Sequence, residues 1–315
     1  MAPSVVDHSC GFAHEALLYA AMDEFVAGTA PFVREGVEAG EPVLVAVSAE
    51  KIDRLRAELN GHGAQVLFVD MAELGANPAR IIPAWQEFAG EHLRPDRPVR
   101  GIGEPIWPER TQDELVECQR HESLLNVAFA NAPVWRLLCP YDTSGLDAAV
   151  IDEAFRSHPT VVSNGRRLAS DRYRGLQEIL RPFDAPLPDP PGGTPEYAVD
   201  GDHLAGSRQL LARRAADAGL PSSRVYDLVL AANEALTNSI RHGGGTAVLR
   251  IWEDDGRVVC EVQDRGRMAD PLADRRRPGT EQAGGRGLWM ANQLCDLVQL
   301  RSRAGGTVVR LHVKR

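Results

Sequence analysis

The chain has 315 residues, 43% of them apolar and 25% charged, with a formal net charge of −9. These values suit a globular protein of about two domains and exclude a collagen, a disordered chain and a small disulfide scaffold. The acidic balance leaves no broad basic footprint for nucleic acid, and no apolar run approaches the ~18 residues of a membrane span.

Cys10, Cys118, Cys139, Cys260 and Cys295 are widely spaced and form no CxxC, and Met1 to Ala13 has no apolar leader core. Free thiols and a cytoplasmic location are therefore expected. Lysine occurs only at Lys51 and Lys314; the other 33 basic residues are arginine.

The first half alternates short apolar runs with amphipathic stretches. Strands are predicted at 42–48, 65–69, 98–103 and 134–139, and helices at 51–61, 78–92, 112–130 and 146–156. Repeated β-α units of this length imply a doubly wound parallel sheet. Residues 182–200, PFDAPLPDPPGGTPEYAVD, keep neither period and read as a linker. The resulting division is 1–165, a linker at 166–200, and 201–315.

The second half predicts helices at 207–218, 223–242 and 288–295. Hairpins are predicted from 247–253 with 257–263, and from 297–303 with 307–313. Helices on one face of an antiparallel sheet make an α+β sandwich.

Three segments of this half can carry chemistry. Glu234, Asn238 and His242 recur at i, i+4, i+8 and share one helix face, where an amide oxygen can hold Mg²⁺ and a carboxylate can activate a nucleophile. A plain solvated face has the same pattern. Asp264-Arg265-Gly266-Arg267 follows a strand; it reads as a turn, or as a carboxylate and a glycine against which a flat ring can lie. Ala283-Gly284-Gly285-Arg286-Gly287-Leu288 opens a helix whose N–H groups can cradle phosphate. Residues 267–284 between them read as a mobile flap.

In this order, the three segments resemble the N, G1 and G2 boxes of the Bergerat (GHKL) ATPase fold. NEALTNSIRHG is similar to the form in anti-sigma-factor serine kinases of the RsbW and SpoIIAB type. The resemblance covers about Gly206 to Val313. It implies that Asn238 holds Mg²⁺ against the phosphates of ATP and that Glu234 is the general base acting on a protein serine. Asp264 would bind the adenine amine beside Gly266, Gly285 and Gly287 would line the phosphate pocket, and Thr307 would back the adenine site. Arg241 and His242 receive no role. The family's Asp-x-Gly-x-Gly pattern ends here in Met268, which cannot freely adopt glycine-only angles.

The first half has no GxxxxGK[ST] phosphate loop. Its landmarks are Gly11-Phe12-Ala13-His14, Gly103-Glu104-Pro105-Ile106-Trp107, Cys118-Gln119-Arg120-His121-Glu122, Cys139-Pro140-Tyr141-Asp142 and His158-Pro159. In this order they resemble the MEDS sensory domain, which implies a RecA-like sheet without its phosphate loop. Three uses stay open: a small-molecule pocket near His14, Glu104, Trp107 and His121; a metal or redox site among Cys10, His14, Cys118, His121 and Cys139; or a docking surface.

The two resemblances together imply a regulator of the RsbA type. It would bind ATP and Mg²⁺, sequester a sigma factor and phosphorylate a serine on an anti-anti-sigma (STAS) partner. A homodimer through the ATPase domain is a further expectation; direct nucleic-acid or membrane binding is not. A non-catalytic binding module is the alternative. A sensor histidine kinase fits less well, because His203-Leu204-Ala205 lacks the phosphoacceptor pattern.

Overall fold

The computed structural model describes residues 11–94, 96–163, 165–277 and 285–315. The chain divides into two compact units, Met1–Arg181 and Pro182–Arg315.

Unit one contains β1 (Phe12–Tyr19), α1 (Met22–Glu38), β2 (Val43–Val47), α2 (Ala49–Glu58), β3 (Val66–Asp70) and α3 (Met71–Leu74). It continues through α4 (Ile81–His92), β4 (Val99–Gly103), α5 (Gln112–Ala128), β5 (Trp135–Asp142), α6 (Ala148–Ser157), β6 (Thr160–Ser163) and β7 (Arg166–Ala169). One seven-stranded sheet has the order β3-β2-β4-β5-β1-β6-β7. All its pairings are parallel except β6 with β7. Val43–Val47 is buried throughout, as a strand covered on both faces must be. A capping box starts α5: Thr111 Oγ1 accepts from Glu114 N–H at 3.4 Å, and Glu114 Oε2 accepts from Thr111 N–H at 3.1 Å.

The predicted strands of this unit fall on β2 to β5 and the predicted helices on α2, α4, α5 and α6. β1 and α1 lie in residues that the pattern left unassigned. His14 and Glu15 interrupt the apolar run of β1, yet both are buried because folding supplies partners. Glu15 meets Arg136 at 3.4 Å and Arg167 at 3.1 Å. The chain steps outward from β2 to β3 and the other way from β4 to β5, which opens a crevice at the carboxyl ends of β2 and β4.

Unit two contains β8 (Glu196–Val199), α7 (Leu204–Asp217), α8 (Ser222–His242), β9 (Ala247–Asp254), β10 (Arg257–Asp264), α9 (Arg286–Leu294), β11 (Leu297–Arg303) and β12 (Gly306–Lys314). Its sheet, β11-β12-β10-β9-β8, pairs antiparallel throughout. One core joins Leu211, Leu228, Ala231 and Ala235 of the helices to Leu249, Cys260, Val262 and Leu311 of the sheet. The stretch 166–200, read as a linker, holds two strands, β7 and β8. β8 escapes a composition reading because prolines and glycines surround its four residues. Its pairing to β9 is reinforced where Arg250 Nε donates to Glu196 Oε1 at 2.9 Å.

The other face of this sheet is polar, and a groove of about 630 Å³ lies on it beneath Pro186–Thr194. Arg310 donates to Glu261 Oε2 at 2.6 Å and to the Pro188 carbonyl at 2.7 Å, which straps the proline-rich segment to the sheet.

Candidate functional site

In unit two, a cavity of about 300 Å³ lies between α8 and the ends of β10 and β12. Asn238, Ser239, Asp264, Gly266, Met268, Gly285 and Thr307 are among its lining residues. Register places Asp264 opposite Thr307. Asp264 Oδ2 accepts from Ser239 Oγ at 2.5 Å, and Oδ1 accepts from Gly266 N–H at 2.6 Å. A carboxylate offers about four lone-pair sites, so these two bonds aim it and leave capacity for a further donor. Thr307 Oγ1 donates to the Gly266 carbonyl at 2.9 Å and stands 2.8 Å from Ser302 Oγ.

The glycines are set by close approach. A Cβ on Gly266 would lie 2.7 Å from Gly243 Cα and 2.8 Å from the His242 carbonyl oxygen. A Cβ on Gly287 would lie 2.7 Å from Glu234 Oε2 and 3.3 Å from Asn238 Nδ2. α9 thus packs on the Glu234/Asn238 face of α8 at the edge of the cavity, which Asn238 lines and from which Glu234 is one helical turn away. Gly285 takes the left-handed conformation at the N-cap of α9, with φ 84°. The structure therefore gathers Asn238, Asp264, Gly266, Gly285 and Thr307 around one cavity, with Glu234 and Gly287 beside it. Gly284 lies outside the described residues.

Two expectations change. Among the described residues, the only non-glycine positive φ angles are at Asn60 and Asp255, so Met268 sits in ordinary backbone. Its N–H donates to Ser302 Oγ at 2.7 Å, and its side chain walls the cavity. The departure from the family pattern costs no strained angle here. Second, the described part of the expected flap is anchored: Leu272, Asp274 and Arg275 are buried, and Asn292 of α9 donates to the Asp274 carbonyl at 2.8 Å. Residues 278–284 lie outside the described residues.

In unit one, the crevice holds a cavity of about 570 Å³ whose lining includes Tyr19, Lys51, Glu104, Trp107 and Asp142. Lys51 Nζ donates to both Glu104 oxygens and contacts Tyr19 Oη, each at 2.6 Å; Tyr19 Oη donates to Glu104 Oε1 at 2.5 Å. Burial raises the Glu104 carboxyl, and Lys51 partly offsets this. Arg110 stacks on Trp107, 3.6 Å from the ring centre. Sequence reasoning missed Lys51, although its rarity was a signal. In a chain that uses arginine almost throughout, a compact ammonium placed after the switch-point strand is a departure.

The four residues named for a sensory pocket separate. Glu104 and Trp107 line this cavity, whereas His14 and His121 do not. His121 is buried on α5. His14 lies on β1 in a second, fully buried cluster with Glu122, Cys139 and His158, whose ligating atoms are all within 4.8 Å of one another. Burial and the neighbouring His158 lower His14 to about 4. Of the expected soft-ligand set, Cys118 bonds the Pro105 carbonyl at 3.3 Å, and burial pushes its thiol up to about 12. Cys10 lies outside the described residues.

Residues 13–159 match the family model described as MEDS, the methanogen/methylotroph, DcmR sensory domain. Residues 197–313 match the histidine kinase-like ATPase domain. No curated protein matches the chain. A similar solved structure is that of the RsbU and RsbW domains of Rv1364c from Mycobacterium tuberculosis, at 26% identity with a TM-score of 0.29. The match covers 38% of this chain and 32% of that one, so it spans about a third of the solved chain.

Proposed function

This chain joins a MEDS domain to a histidine kinase-like ATPase domain, and we propose that it is an ATP-dependent regulator of the partner-switching type. The observation that carries the reading is the Asp264 carboxylate, aimed by Ser239 and Gly266 into a cavity that Asn238 also lines. In this reading, Asp264 accepts a hydrogen bond from the exocyclic amine of adenine. Gly266 gives the ring room beside the backbone, and Thr307 holds the Gly266 carbonyl in place. Asn238 holds Mg²⁺, and the first turn of α9, from Gly285 to Gly287, faces the phosphates. Bound Mg²⁺ supplies charge neutralisation and alignment of the terminal phosphoryl group.

Glu234 takes the proton from a serine hydroxyl of an anti-anti-sigma (STAS) partner. The serine oxygen bonds to the terminal phosphorus as the bond to ADP breaks. We further propose that the second unit sequesters a sigma factor and forms a homodimer in the cytoplasm. The MEDS unit, read as RecA-like, would receive a signal in the Lys51/Glu104 crevice. No helix among the described residues is long and apolar enough to cross a membrane.

Calorimetric titration of the full chain with ATP and ADP, with and without Mg²⁺, tests the nucleotide reading. Asp264→Ala should weaken binding by about 10- to 150-fold, the worth of a hydrogen bond to a charged group at roughly 1.5–3 kcal/mol. Asn238→Ala should remove the Mg²⁺ dependence. Glu234→Ala should keep binding and lose serine phosphotransfer; unchanged regulation in that variant would favour the non-catalytic binding module. Absence of binding at millimolar nucleotide would overturn the reading.

A further inference from the structure

The buried cluster of unit one is independent of the nucleotide reading. It draws together His14 of β1, Cys139 of the neighbouring strand β5, Glu122 of α5 and His158, which follows α6. Each of the four is at most 1% exposed. His14 Nε2 is 3.1 Å from Glu122 Oε2 and 3.4 Å from Cys139 Sγ, and His158 Nε2 is 3.3 Å from the same Glu122 oxygen.

Hydrogen bonds on the far side of each ring set its tautomer. Asn126 Nδ2 faces three carbonyls, those of Ser157 at 2.9 Å, Glu122 at 3.2 Å and Ser123 at 3.5 Å. Its Oδ1 must therefore be the atom facing His14 Nδ1 at 3.2 Å, and His14 Nδ1 is the donor. His158 Nδ1 lies 2.9 Å from the Ala154 carbonyl, an acceptor only, so His158 Nδ1 is a donor too. Both Nε2 lone pairs then point inward, at a carboxylate and a sulfur. Among the described residues Glu122 Oε1 has no hydrogen-bond partner, and His158 Nε2 faces the other oxygen of the same carboxylate at 3.3 Å. Converging lone pairs of this kind call for a cation. An imidazole N–H held by a carbonyl oxygen on its outer side is the usual second shell of a metal-bound histidine.

We propose that His14, Glu122, Cys139 and His158 form a closed, four-coordinate site for a divalent transition-metal ion of the zinc type. Two nitrogens, one sulfur and one oxygen are a zinc donor set, and full coordination by protein marks a structural ion rather than one open to substrate. Charge closes as well: a thiolate and a carboxylate neutralise a dication, which a fully buried site requires. Binding displaces the Cys139 thiol proton to solvent and forms the metal–sulfur bond without any redox change. The ion clips α5 and the end of α6 onto two adjacent strands.

The test is metal analysis of the full chain, expressed in zinc-replete medium and also unfolded and refolded with Zn²⁺. About one zinc per chain is expected, with X-ray absorption giving one sulfur near 2.3 Å and three nitrogen or oxygen ligands at roughly 2.0–2.2 Å. Refolding with Co²⁺ should give the thiolate charge-transfer band of a tetrahedral site. Cys139→Ser should abolish that band, and Cys118→Ser, equally buried on α5, should keep it. Wild-type protein that refolds without retaining Zn²⁺ or Co²⁺ overturns the proposal. So does a sulfur-free coordination shell, or a band that survives Cys139→Ser. The wild-type measurements decide the matter even if a variant fails to fold.

Discussion

At the scale of single residues, the contact between Gly287 and Glu234 makes the sharpest demand. The added methyl of Gly287→Ala meets Glu234 Cβ at 3.0 Å as well as its carboxylate, so α9 must move off α8. Overpacking of this kind costs about 1–3 kcal/mol, and phosphotransfer should fall further than nucleotide affinity. Gly206→Ala is the control. Gly206 is exposed on α7 with open space around its Cβ position, so thermal denaturation should show a gain of about 0.5–1 kcal/mol.

In unit one, Lys51→Met strands the Glu104 carboxylate, whose side chain is 4% exposed. Breaking a buried pair costs about 3–5 kcal/mol, and the double variant with Glu104→Gln should recover most of it. The Glu104 carboxyl is raised in the folded state, mainly by burial. Above the ordinary carboxylate range the folded chain therefore holds the proton longer than the unfolded chain, and the contribution of this group falls as pH rises through its folded value. Melting curves against pH should show that decline in wild type and not in Glu104→Gln. Asn238, Asp264 and Gly266 were legible because they lie in short motifs with a chemical reason for their spacing. Lys51 belongs to no local pattern, and Ser239, Glu122 and His158 stand inside the quoted motifs without any partner that those motifs name. Each acquires its partner only when segments 25 to more than 100 residues apart are folded together.

At the scale of elements, periodicity found what is locally consistent. The apolar run of β2 and the long amphipathic face of α8 are examples. It passed over β1, where burial of His14 and Glu15 depends on α5, β5 and β7, and over β8, hidden among turn residues. The proline-rich stretch before β8 carries its own prediction. Arg310→Ala removes the bond to the Pro188 carbonyl and the stacking of the guanidinium over Trp252, 5.1 Å from its ring centre. The strap at Pro186–Thr194 should then be cut several-fold faster in limited proteolysis under native conditions. Glu261 keeps Arg250, 2.8 Å away, so the sheet itself should remain folded.

At the scale of the whole molecule, two units with separate cores should unfold separately. ATP with Mg²⁺ at about 100 times its dissociation constant adds roughly 2.7 kcal/mol to whatever binds it. Calorimetry should show one transition rising by several degrees and the other staying in place, with Lys51→Met moving only the second. A single cooperative transition that rises as a whole would mean that the units are energetically one body. The scarcity of lysine gives these experiments an unusual handle. A lysine-specific protease cuts this sequence only after Lys51 and Lys314, so one peptide ends on the amine that lies against Glu104 and Tyr19. Amine acylation followed by mass spectrometry becomes a footprint of a single crevice, in which shielding or release of one side chain reports occupancy in the intact protein without any engineered label.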